Sequence, residues 1–264
     1  MAPREVVKSR QNPLVKRLRA LRERRGEQVL LEGVTLVEEA ALAGNRIVEV
    51  VAGPKAEKQE RARRLLTRLA TEGVPVRWLD DAIVASLSEL ETSQGLLAIA
   101  ERPRFEESAL FRDPALIVVA VGIQNPGNLG ALLRSAEAAA ATGAILTAGC
   151  ADAFSWKALR GSMGSAFRLP QIQGVEIAAA LALLRKHGVA VAAASSAATT
   201  RYDAWDWRRP TALLLGAEGA GLPADVEAAA DARIAIPMRD PVESLNVAAA
   251  GAVFLFEAAR QRRR

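Results

Sequence analysis

Ala115-Leu116-Ile117-Val118-Val119-Ala120-Val121 runs into Gly122-Ile123-Gln124-Asn125-Pro126-Gly127-Asn128-Leu129-Gly130 and then Ala131-Leu132-Leu133-Arg134-Ser135-Ala136. The first stretch is apolar at every position and β-branched at several. That is the pattern of a parallel strand buried on both faces. Proline and glycine then make a tight turn, and a helix is predicted to run to about Ala141. Further apolar runs follow at Ala144–Ala148, Val189–Ala194, Thr211–Leu215 and Arg233–Ile236. Helical patterns separate them near Ser155–Ser162, Glu176–Lys186 and Ala224–Ala229, with a long one from Leu245 to the C-terminus. Strands alternating with helices predict an α/β fold around a parallel sheet covered on both faces.

Upstream, Pro13 opens a helical pattern with Leu14, Val15, Leu18 and Leu21 apolar, and Gly26 ends it. Strands are predicted at Gln28–Leu31, Ile47–Ala52, Val74–Leu79 and Gly95–Ala100, and helices at Val34–Leu42, Lys55–Thr71 and Asp80–Leu87. The proline-broken, charged stretch Glu101-Arg102-Pro103-Arg104 reads as the start of a linker. The expected organisation is a basic N-terminal helix or arm (1–26), a smaller α/β domain (27–101), a linker (102–114) and the larger domain (115–264).

Half of the 264 residues are hydrophobic and a quarter charged, which fits a globular chain. The single cysteine, Cys150, excludes an internal disulfide and a cysteine metal cluster. The single histidine, His187, excludes a two-histidine metal site and leaves little room for a Ser-His-Asp triad, so no metal is expected. No apolar run approaches the ~18 residues of a membrane span, and the N-terminus lacks the apolar core of a signal peptide. A cytoplasmic protein with no membrane partner is expected.

Positive charge is unevenly placed. Residues 1–25 hold nine Lys or Arg against two acids, a net +7, and the last five residues hold four arginines and no acid. The whole chain sums to only +5, so the body between these ends is mildly acidic. Basic ends of this kind neutralise phosphates, which makes nucleic acid the leading partner. A solvated helix face with a solubilising tail accounts for the same charges equally well.

In open parallel sheets, ligands sit at the carboxyl ends of strands. Three strand-exit loops carry polar side chains there. The first holds Asn128, with Arg134 less than two helical turns further on. The second, Leu215-Gly216-Ala217-Glu218-Gly219-Ala220-Gly221-Leu222-Pro223, sets a carboxylate among three glycines whose amides are open to close approach. It is neither a dinucleotide fingerprint nor a phosphate loop, since the spacing is wrong and no G-K-[ST] is present. The third, Ile236-Pro237-Met238-Arg239-Asp240-Pro241-Val242-Glu243-Ser244-Leu245-Asn246-Val247, brings Ser244 and Asn246 to the start of the last helix. Taken singly, Asn128, Ser244 and Asn246 read as helix caps. Three polar loops leaving one sheet shift the balance toward a site.

N-P-G-N-L-G-A-L-L-R-S-A, L-L-L-G-A-E-G-A-G-L and I-P-M-R-D-P-V-E-S-L-N-V-A-A-A resemble, in order, the three motifs of the SpoU/TrmH family of the SPOUT superfamily. These are RNA 2′-O-ribose methyltransferases that use S-adenosylmethionine. Lys157–Phe167 resembles the family's linking segment. Ser9-Arg10-Gln11-Asn12-Pro13 with Leu31-Glu32-Gly33 more loosely resembles the N-terminal α/β/α substrate-binding domain of the ribosomal-RNA branch. The resemblance implies a deep trefoil knot in the C-terminal parallel sheet, a rare exception to unknotted topology. It implies a cofactor held largely by backbone groups at Gly216, Ile236 and Leu245, with Leu215 and Met238 framing the adenine and Asn246 also at the cofactor. It implies a homodimer whose two subunits complete each RNA site.

The same resemblance assigns the chemistry to Arg134, Asn128, Glu218, Ser244 and Asn246. Arg134 would contact the target phosphate and assist removal of the 2′ proton. An arginine is normally protonated, so its safer physical role is to stabilise a developing alkoxide and grip phosphate bidentately. Asn128, Ser244 and Asn246 would orient ribose and cofactor, and Glu218 would fix Arg134 or a neighbouring amide. RNA contacts are expected at Arg10, Lys16, Arg17, Arg134 and Arg160. Ribosomal RNA is favoured over transfer RNA because of the N-terminal domain. Alternatives are a transfer-RNA 2′-O-methyltransferase and a non-catalytic RNA-binding or assembly factor of the same fold. His187 reads as a helix C-terminal residue and Cys150 as a small buried hydrophobe. Trp205 and Trp207 could stack on bases or pack at the surface. Arg168 could touch a phosphate or lie in a solvated loop.

Overall fold

The computed structural model describes residues 5–23, 26–90 and 93–263. The chain divides into two units, one of Met1–Pro103 with Phe154–Leu159, the other of Arg104–Ala153 with Arg160–Arg264.

In the first unit the chain runs through β1 (Val6–Val7), α1 (Pro13–Glu23), β2 (Gln28–Glu32), α2 (Val34–Leu42) and β3 (Ile47–Ala52). It continues through α3 (Pro54–Glu57), α4 (Glu60–Thr71), β4 (Val76–Leu79), α5 (Asp81–Leu87) and β5 (Leu96–Glu101). The described strands form one mixed sheet in the order β1-β4-β3-β5-β2, with β5 antiparallel to both β2 and β3. Val15 and Leu18 of α1 and Ile83, Val84 and Leu87 of α5 bury against Val51, Leu79, Leu97 and Ile99 of the sheet. The single helix expected over Lys55–Thr71 is two, broken at Lys58-Gln59. The short strand β1, absent from the sequence reading, pairs Val6 with Trp78.

The second unit follows as β6 (Leu116–Ala120), α6 (Pro126–Ala138), β7 (Gly143–Thr147), α7 (Trp156–Ser162), α8 (Ser165–Arg168), β8 (Gln171–Val175) and α9 (Ile177–Lys186). It ends with β9 (Ala190–Ala194), β10 (Thr200–Arg201), β11 (Thr211–Leu215), α10 (Ala224–Ala228), β12 (Ala232–Ala235) and α11 (Val247–Arg262). Only the first part of α7 groups with the other unit. Among the described residues the sheet has seven strands in the order β10-β12-β9-β11-β6-β7-β8, all parallel. β6 and β11 are buried at every residue, as their unbroken apolar runs require of central strands. β8 was not foreseen. Gln171-Ile172-Gln173-Gly174-Val175 is polar and glycine-interrupted, which an edge strand tolerates.

Two caps set where the site-bearing helices begin. Asn125, not Asn128, caps α6, its Oδ1 accepting from Gly127 N at 2.9 Å and Asn128 N at 3.2 Å. Asn246 caps α11, accepting from Ala248 N at 3.0 Å and Ala249 N at 3.3 Å, so this helix starts two residues later than its apolar pattern suggested. The path from β12 through 236–246 then brings α11 against α6 and β11. Gly251 makes that approach possible: a Cβ there would lie 2.4 Å from Leu132 Cδ1 and 3.1 Å from Leu215 Cδ1.

Candidate active site

The carboxyl ends of β9, β11 and β12 open onto a cavity of about 670 Å³ in the second unit. Its wall includes Leu215, Gly216, Ile236, Met238, Leu245 and Asn246, together with Glu218 and Ser244. The glycine-rich loop after β11 shapes one side. Gly219 and Gly221 take φ of +77° and +67°, a region open to glycine at little cost, and the Gly221 N–H donates to Ala217 O at 2.9 Å. The loop closes so tightly that a Cβ on Gly216 would meet the Gly221 carbonyl at 2.2 Å.

At the rim three side chains from three loops meet. Asn128 Nδ2 donates to Glu218 Oε1. Asn246 Nδ2 lies 3.1 Å from both Asn128 Oδ1 and Glu218 Oε1 and donates to them. Asn246 therefore caps a helix with its oxygen and ties two neighbouring segments with its nitrogen. Glu218 takes its hydrogen bonds from side-chain amides, not from Arg134. Arg134 is exposed on α6, and among the described residues its guanidinium has no hydrogen-bond or ion-pair partner. Ser244 lines the cavity and makes no side-chain hydrogen bond among the described residues.

Sequence reading missed Ser195, Ser196 and Glu227 in the cavity wall. Ser195 and Ser196 leave the carboxyl end of β9, the signal used for the other loops, but a bare Ser-Ser among alanines does not stand out.

The expected RNA contacts divide. Arg10 and Lys16 are exposed and without side-chain partners among the described residues. Arg17 is held by Glu49 Oε2 at 3.4 Å and Gln28 Oε1 at 3.0 Å. Arg160 is exposed on α7. Arg168 is bound to Glu137 through two hydrogen bonds of 2.5 and 2.9 Å. Burial raises the Glu137 pKa, but the hydrogen bonds from Arg168 and Ser165 outweigh it and hold the carboxyl below its ordinary value.

Several basic or aromatic candidates are structural. Arg262 Nε donates to Trp207 O at 2.7 Å, and its Nη atoms donate to Pro114 O at 2.6 Å, Ala115 O at 2.9 Å and Arg209 O at 3.0 Å. Burial pushes its pKa down, partly offset by Asp113. Arg260 pairs with Glu257, so the C-terminal charge is only partly a free tail, and Arg264 lies outside the described residues. Trp207 is fully buried and cannot stack on a base, while the Arg209 guanidinium lies 4.0 Å above the Trp205 ring. His187 ends α9 and stacks on Phe111 at 3.8 Å. Cys150 is buried, its Sγ donating to Ala120 O at 3.2 Å.

Among the described residues no group of three or more His, Cys, Asp or Glu is placed to hold a metal, and no helix is long and apolar enough to cross a membrane.

Residues 115–256 match the SpoU rRNA methylase family, and residues 12–98 match the MRM3-like substrate binding domain. An uncharacterised tRNA/rRNA methyltransferase of Synechocystis sp. is 36% identical over 97% of this chain and 93% of its own length. The 23S rRNA (guanosine(2553)-2′-O)-methyltransferase of Bacillus subtilis is 32% identical over 86% of each protein. An AdoMet-bound rRNA methyltransferase from Sinorhizobium meliloti is 30% identical and superposes over 97% of each chain with a TM-score of 0.85. With the second and third motif loops lining one cavity, Asn128 of the first hydrogen-bonded to both, and the matched region covering that whole sheet, the chain belongs to the SpoU rRNA methylase family.

Proposed function

We propose that this protein transfers the methyl group of S-adenosylmethionine to a ribose 2′-hydroxyl of RNA, ribosomal RNA being the favoured substrate. The observation that carries this reading is the hydrogen-bonded meeting of Asn128, Glu218 and Asn246 at the rim of the cavity. A relative that methylates a 23S rRNA guanosine and a neighbour with bound AdoMet support it.

The cavity suits the cofactor. Its volume lies within the ~300–1,000 Å³ of small-molecule sites. Leu215, Ile236, Met238 and Leu245 offer an apolar wall for adenine, and glycine-exposed main chain at 216–221 offers hydrogen bonds. When bound, S-adenosylmethionine supplies an electrophilic methyl group. Asn128, Glu218 and Asn246 hold the three loops in register, so the 2′ oxygen meets the methyl carbon in line rather than by chance encounter. Ser244 offers a free hydroxyl to ribose or cofactor. Arg134, exposed and unpartnered, grips the target phosphate and steadies the 2′ oxygen as its proton leaves. The path from β12 to α11 supports the trefoil knot that the family resemblance implies.

Arg10, Lys16 and the 27–101 domain position the RNA, with the 102–114 linker joining it to the catalytic domain of 115–264. Arg17 of the first unit and Arg160 of the second are further RNA contacts in this reading. A homodimer is part of the proposal, with Phe256, 46% exposed on α11, available to a second copy. The proposed site of action is the cytoplasm. Mapping 2′-O-methyl positions in ribosomal RNA from cells with and without the protein tests the function. A position lost with the protein and restored by it in vitro is the expected result; an unchanged ribosomal map would return the reading to transfer RNA or to an assembly factor.

A further inference from the structure

The cavity wall carries two carboxylates, Glu218 and Glu227, and no lysine, arginine or histidine. Glu218 accepts from the amides of Asn128 and Asn246, both through Oε1. Glu227, on α10, is 23% exposed, and the cation beside it is Arg233, whose Nη1 stands 4.0 Å away on a side chain 58% exposed. A pair that long and that open to solvent is screened and leaves the carboxylate free to accept. Ser195 and Ser196, from the loop after β9, line the same cavity. The wall thus combines carboxylates and hydroxyls with the apolar side chains of Leu215, Ile236, Met238 and Leu245.

We propose that Glu227 is a cofactor-binding residue that receives the α-ammonium group of the methionine moiety, with the hydroxyls of Ser195 and Ser196 available to the neighbouring α-carboxylate. This rests on the reading of the cavity as an S-adenosylmethionine site. The ammonium is the group assigned because the other fixed cation, the sulfonium, must lie where its methyl can reach RNA. That is the rim built by Asn128, Glu218 and Asn246. Glu227 is held elsewhere in the wall, by α10 next to β12. A carboxylate there favours a ligand bearing a cation over one without it.

Calorimetry on the full-length protein tests this with three probes: S-adenosylmethionine, S-adenosylhomocysteine and 5′-methylthioadenosine. The last keeps the adenosine and the sulfur but lacks the amino-acid end. Glu227→Gln is expected to weaken the first two about tenfold to a hundredfold and to leave 5′-methylthioadenosine within about twofold. That unchanged probe also reports that the variant is folded. Arg233→Gln should weaken none of the three. An equal loss for all three probes, or no loss for any, overturns the assignment while the cofactor reading stands. A wild-type protein that binds neither S-adenosylmethionine nor S-adenosylhomocysteine overturns both.

Discussion

Asn246 Nδ2 stands 3.1 Å from Glu218 Oε1, joining the loop before α11 to the loop after β11 while Asn246 Oδ1 caps α11. One side chain therefore has a folding role and a site role on its two different atoms, and substitutions can separate them.

Asn246→Asp keeps an oxygen for the cap but sets a second carboxylate against Glu218. It is expected to retain most of the thermal stability and to lose methyl transfer. Asn246→Ala removes the cap as well and should cost about 1 kcal/mol or more in urea unfolding. Equal activity in Asn246→Asp and wild type would remove the cross-loop hydrogen bonds from the mechanism.

Arg134→Ala should abolish methyl transfer and leave the S-adenosylmethionine Kd nearly unchanged, because Arg134 lies on α6 and is absent from the cavity wall. Its exposure and lack of partners predict a stability change within about 0.5 kcal/mol. A large loss of cofactor affinity, measured by calorimetry, would assign this arginine to the cofactor and not to the RNA.

Much of the site could be read from the sequence because its parts are local. Leu215 ends β11, Gly216 follows it and Ile236 follows β12, and a strand exit in a parallel sheet is a place where ligands bind. What was not readable depends on neighbours brought together by folding. Ser195 and Glu227 reach the cavity only because β9 lies between β11 and β12, an order that no local pattern encodes. In the sequence Asn128 read as a helix cap. Backbone geometry gave the cap to Asn125 and released Asn128 to Glu218. The basic C-terminus misled for a similar reason, since charge alone does not reveal that Arg262 is committed to four carbonyls.

Arg262→Met should destabilise the protein by about 1–2 kcal/mol, as the part-buried carbonyls of Trp207 and Ala115 and the exposed ones of Pro114 and Arg209 lose the guanidinium. Arg260→Ala removes an ion pair whose arginine is exposed, leaving Glu257 its hydrogen bond from Gln261, and should cost about 1 kcal/mol or less. Urea unfolding of both variants measures the contrast. Equal effects would mean that Arg262 is an ordinary surface charge.

The Glu137–Arg168 pair sets a pH dependence. The Glu137 pKa is lower in the folded protein than its ordinary value, burial being outweighed by the hydrogen bonds from Arg168 and Ser165. Its contribution is therefore present above the ordinary glutamate range and is lost as the pH falls through the lower, folded-state value. Because the pair is about one-third exposed, its worth is no more than about 1 kcal/mol. Glu137→Gln should lower Tm near neutral pH, and the gap to wild type should close on acidification. A gap that widens toward acid would reverse the sign of the shift.

Arg10 and Lys16 have no side-chain partner among the described residues, whereas Arg17 is tied to Glu49 and Gln28 and Arg22 to Glu89. If both face RNA phosphates, removing them releases fewer counterions on binding. The double variant Arg10→Ala/Lys16→Ala should then weaken RNA binding across sequences and reduce the slope of log K against log salt by about one to two. S-adenosylmethionine affinity should be unchanged, since neither residue lies in the cavity wall. Filter binding of a ribosomal RNA fragment at several salt concentrations gives the slope. A slope equal to wild type, at undiminished affinity, would mark these residues as a solvated helix face and move the RNA contact to Arg134 and Arg160.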